Sequence, residues 1–189
     1  MKKQLKKIGL SIVKAYFKIR QTYPIWRMIN HDALRGFEKP VLNEVQKRIV
    51  DDLALHGIAV AHMDELFPSS LWEGMVRETE ALWKTKGGAH KSKPFLEPLI
   101  DAGALIDVRS FFTQFALDQK IRDVVSTYLG MRTKYYYHTL NVTNPVVKGA
   151  SAQKSQRWHR DPEDKRVCKV FLYVSDVDQT AGPFMYVMD

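Results

Sequence analysis

With 189 residues, 45% of them hydrophobic, the chain can bury one core and suits a single domain with at most an appendage. Its formal charge of +8 is local: Lys2, Lys3, Lys6, Lys7, Lys14, Lys18, Arg20 and Arg27 fall within residues 1–30 without one acid, leaving 29 − 8 = 21 basic against 21 acidic residues elsewhere. A neutral body with one basic end argues against a nucleic-acid partner, and the lone Cys168 excludes an internal disulfide and suits a reducing, cytoplasmic setting.

Residues 1–36 read as a basic amphipathic segment ahead of a domain over 41–189. Within it, 3–20 have helical spacing: Leu5, Ile8, Ile12, Ala15, Tyr16 and Ile19 share a face, and Lys3, Lys7, Lys14 and Lys18 lie opposite. Two readings stand. The apolar face packs on the chain's own domain, or residues 1–30 make a peripheral contact with an anionic membrane surface. The uncharged run Ile8–Val13 falls well short of the about 20 apolar residues needed to cross a bilayer.

Arg35 to Pro40 reads as a linker, and Val41 to Leu55 as a helix opened by Pro40 and closed by Gly57. Ile58 to Ala61 suggests a short strand. Ser69 or Ser70 can cap a helix bearing Leu71, Trp72, Met75, Val76, Thr79, Leu82 and Trp83. Gly87 to Pro98 is a polar loop, Asp118 to Tyr128 a helix stopped by Gly130, and Thr133 to Val142 a strand. Near Gly130 the period changes from 3.6 to 2, which predicts an α+β fold. Its helices would pack on an antiparallel sheet of 133–142, 166–174 and 184–188.

The chemistry concentrates at His159-Arg160-Asp161. On an extended strand, residues two apart share a face, so the imidazole and the carboxylate project together. They form two-thirds of the 2-His-1-carboxylate triad that holds non-haem Fe(II) with open positions. Pro162 ends strand pairing, Val167 to Val174 reads as a strand, and Gly182-Pro183 precedes a second apolar run. HRD also opens the kinase catalytic loop, but Arg166 stands where that loop needs Asn. No G-x-S-x-G elbow supports a hydrolase. His31, His56, His62 and His90 sit at element ends or in loops and read as surface or capping residues. His138, on a strand expected beside His159, either lines a pocket or is a satisfied core histidine.

The stretch resembles the start of the double-stranded β-helix in the phytanoyl-CoA dioxygenase-like family of Fe(II)/2-oxoglutarate oxygenases. The similar residues are Trp158-His159-Arg160-Asp161, Lys169-Val170-Phe171-Leu172-Tyr173, Asp176-Val177 and Gly182-Pro183-Phe184; weaker similarity reaches back to about Leu42. The resemblance implies a cupin-like jelly roll, His159 and Asp161 as iron ligands, 2-oxoglutarate as cosubstrate and a small-molecule substrate. Lys169, Phe171 and Tyr173 share one face of the following strand, where they either approach 2-oxoglutarate or fill the interior. The family takes a second metal His, and then a basic residue for 2-oxoglutarate, from tens of residues further on. No His follows His159 here, so residues 41–189 match the N-terminal portion of such a domain and are expected to be inactive as they stand. The alternative is a non-catalytic, cupin-like binding or scaffold module.

Overall fold

A computed structural model describes residues 11–12, 14–86, 95–144, 149, 151, 156–159, 164–179 and 181–187. Helices dominate the first two-thirds. They are α1 (14–20), α2 (Tyr23–Ile29), α3 (His31–Leu34), α4 (Glu44–His56), α5 (Ser69–Lys86), α6 (Phe111–Leu117) and α7 (Gln119–Leu129). A 3-10 turn, Met63–Glu65, leads into α5. β1 (Leu96–Ile100) pairs antiparallel with β2 (Leu140–Thr143), and the register runs from Leu96 opposite Thr143 to Ile100 opposite Leu140.

Helix ends follow local chemistry. α4 begins at Glu44, later than Pro40 suggests, because Asn43 and Gln46 form a reciprocal capping box with both bonds at 2.9 Å. The same Gln46 side chain is buried and donates to the Lys120 carbonyl at 3.0 Å, stitching α4 to α7. Asp118 caps α7 through the Lys120 amide, and Gly130 closes it at φ +65°, a left-handed conformation that glycine adopts without strain. The α7 boundaries match the periodicity to within a residue.

The α+β character holds, but the sheet has other members than expected. Residues 58–61 form no strand; the Val60 carbonyl accepts from Arg48 at 3.2 Å, and Arg48 also pairs with Glu65 at 2.6 Å. β1 lies where the sequence suggests the tail of a polar loop. Its inward residues are Phe95, Glu97 and Leu99, and a Glu that is 3% exposed breaks the apolar alternation that marks a strand. Of 133–142 only the last residues enter the ladder. The Ala104 amide bonds back to the Asp101 carbonyl in a turn that ends β1, and among the described residues 133–139 have no partner strand. Residues 166–174 and 184–187 are neither helix nor ladder strand; among the described residues the sheet has two strands, and no jelly roll is formed.

The core sits where α5, α6 and the two-stranded sheet meet, with Phe67, Met75, Leu99, Phe112, Phe115 and Leu140 buried together. Phe67 and Phe115 pack at 5.3 Å between ring centroids, and the Lys120 ammonium lies over Phe67 at 5.3 Å. Leu172 and Val174 pack against this cluster although their segment makes no ladder. Arg132 ties α3 to the body, its amide donating to Ala33 at 2.9 Å and its guanidinium to the Asp32 carbonyl. No described helix is long and apolar enough to cross a membrane.

Candidate functional site

His159 is exposed, and its Nδ1 lies 2.6 Å from the Arg157 carbonyl oxygen. A carbonyl can only accept, so Nδ1 carries the proton and, in the neutral ring, Nε2 carries the lone pair. That is the arrangement by which a backbone carbonyl orients a metal-ligating imidazole. Its expected partner Asp161 lies outside the described residues, as do Arg160 and Pro162. Among the described residues no three His, Cys, Asp or Glu side chains gather as a metal site. The donor set described is thus compatible with a ligating His159 and does not make an iron centre by itself.

Phe171 and Tyr173 face away from the core, because the alternate residues Leu172 and Val174 pack into it; Lys169 is exposed, as is its neighbour Val170. The expected alternation is present from 171 to 174, and all three side chains are exposed. Phe171 stacks on Phe184 with centroids 4.2 Å apart, and the Tyr173 hydroxyl accepts from the Phe184 amide at 2.8 Å. Residues 171–173 and 184 are therefore joined through side chains rather than a backbone ladder. Tyr173 also borders an open concavity of about 630 Å³ between Trp72 and Val76 of α5 and the chain from 173 to 177, which contributes Asp176.

His138 belongs to the core's edge. Its ring stacks on Phe112 at 6.4 Å, and its Nδ1 is hydrogen-bonded to the Tyr135 hydroxyl. Burial pulls the imidazole below the ordinary histidine range, while the Glu78 carboxylate pushes weakly the other way. The ring is half-buried, stacked and hydrogen-bonded at the edge of the core. Burial likewise raises the Tyr135 phenol and the Cys168 thiol above their ordinary values.

The structure brings together one cluster that the sequence does not suggest. Trp26, 2% exposed, donates from its indole nitrogen to Asp164 at 2.6 Å, and Arg20 reaches the same carboxylate at 3.5 Å. Lys165 lies over the Tyr23 ring at 5.7 Å and Arg166 over Trp26 at 5.1 Å. Arg166 also donates to the Leu129 carbonyl at 2.5 Å, locking the segment after the HxD tripeptide to the end of α7. The available signal is the run Asp164-Lys165-Arg166 beside a Tyr/Trp pair three apart, but Trp26 and Asp164 are 138 residues apart in sequence.

No family model matches the chain, and neither a curated protein nor a solved structure matches it.

Proposed function

We propose that residues 41–189 are a module of the phytanoyl-CoA dioxygenase-like class, in which His159 and Asp161 ligate Fe(II), 2-oxoglutarate is the cosubstrate and the substrate is a small molecule. When bound, that pair supplies oxidative decarboxylation coupled to hydroxylation of a C–H bond. One observation carries the reading: the tripeptide His159-x-Asp161 has its imidazole fixed with the proton on Nδ1 and is followed by a segment whose Phe171 and Tyr173 are held off the core. Two protein ligands hold a metal loosely, so this chain binds weakly and does not turn over by itself. The double-stranded β-helix belongs to the same proposal.

A second reading has its own support. Val170, Phe171, Tyr173, Phe184, Met185 and Val187 are all exposed on neighbouring extended segments, an apolar surface of the kind a binding or scaffold module uses.

Titration with Mn(II) followed by 2-oxoglutarate decarboxylation assays with Fe(II) separates these. Weak binding that disappears in both His159→Ala and Asp161→Ala, without turnover, is expected. Binding unaffected by either substitution removes the metal and leaves the scaffold reading. Robust turnover puts a third ligand elsewhere in the chain, with His138→Ala the next variant to assay.

A further inference from the structure

Among the described residues, the N-terminal helix leaves Ile12, Tyr16 and Ile19 uncovered. Spacing places Ile12, Tyr16 and Ile19 within about 60° of one another around a helix. In the structure they are 64%, 60% and 56% exposed. A helix packed on its own domain would bury this stripe. Beyond the stripe, Arg20 and Trp26 contact the body, both through Asp164. Met28 and Ile29 of α2 are exposed as well.

We propose that this face docks on an anionic lipid surface. Three observations select a membrane over other occupants. The exposed stripe includes a tyrosine, whose amphipathic ring suits the headgroup level. Lys14 and Lys18 are exposed on the opposite side, so the helix brings positive charge close to an anionic surface without placing a charge in the apolar stripe. Residues 1–30 contain no acidic side chain to oppose a negative surface, against eight basic ones. No described helix is long and apolar enough to cross a bilayer, which fits a helix lying in the surface plane. Asp164, five residues beyond His159, then holds the segment after the HxD tripeptide at the docked helix. The docking itself does not depend on metal binding.

The test is co-sedimentation of the full chain with phosphatidylcholine vesicles, with and without about one-third phosphatidylserine. Binding is expected only with the anionic lipid and should weaken as salt rises from 0.05 to 0.5 M. Lys14→Ser with Lys18→Ser removes two charges, each worth about fivefold at such a surface, and should lower partitioning about 25-fold. Ile12→Ser with Ile19→Ser should abolish it without changing the far-ultraviolet circular dichroism or the melting midpoint, since both residues are exposed. Equal binding to neutral vesicles, or no binding to either, overturns the proposal. So does salt-sensitive binding to RNA without preference for anionic vesicles, and so does loss of the folded signal in the Ile12/Ile19 variant, because that would place the stripe inside the fold.

Discussion

Gly74→Ala tests whether α5 and α6 meet as described, and there two familiar effects have opposite signs. Gly74 is buried in the middle of α5, where alanine is favoured over glycine by about 1 kcal/mol. A methyl group there would stand 2.4 Å from Cδ1 and Cε1 of Phe111 and 2.7 Å from its Cγ. Carbon contacts settle at about 3.5–4.0 Å, so the ring must move by more than 1 Å. It has little room: the Phe111 amide is held by Glu78 at 2.8 Å, and the next residue, Phe112, stacks on His138. Overpacking of this kind costs about 1–3 kcal/mol. The clash wins, and the variant should lose up to about 2 kcal/mol, lowering the midpoint by about 2–4 °C per kcal/mol for a chain of this size. The decisive assay is a double-mutant cycle by urea unfolding. In a Phe111→Ala background the obstruction is gone, so Gly74→Ala should become stabilising by about 1 kcal/mol. An equal effect in both backgrounds, or stabilisation of the wild type, would refute the α5–α6 contact.

Asp164→Ala should cost about 1–3 kcal/mol, because it leaves the buried Trp26 indole N–H without an acceptor, and Asp164→Asn should recover part of that loss. Tryptophan fluorescence during urea unfolding reads both variants; equal stability of Asp164→Ala and wild type would mean that α2 does not dock there. For His138 the pH dependence has a definite sign. Its pKa is depressed in the folded chain, so the unfolded chain takes up the proton first, and stability falls as pH drops below about 6.5 until the folded ring also protonates. His138→Gln should flatten that part of the curve in thermal melts across pH 5 to 8, and an unchanged slope would assign it to other groups.

Helices were legible because their signals are local. The 3.6-residue spacing, the Asp118 cap and the left-handed Gly130 define α7 without reference to the rest of the chain. α4 was shifted only by the Asn43/Gln46 capping box, also a short-range device. The alternation of 171–174 was likewise readable, since a period of two assigns faces before any partner is known. Which strands pair was not. A ladder needs a partner from distant sequence, and the choice of 96–100 for 140–143 turns on a buried Glu97 and on the turn at Asp101. The same holds for the outward face of α1. Amphipathic spacing shows that Ile12, Tyr16 and Ile19 lie on one side, but their exposure, and the contact of Trp26 with Asp164 across 138 residues of chain, appear only in the tertiary structure. Periodicity determines what a segment presents; long-range contacts determine what covers it.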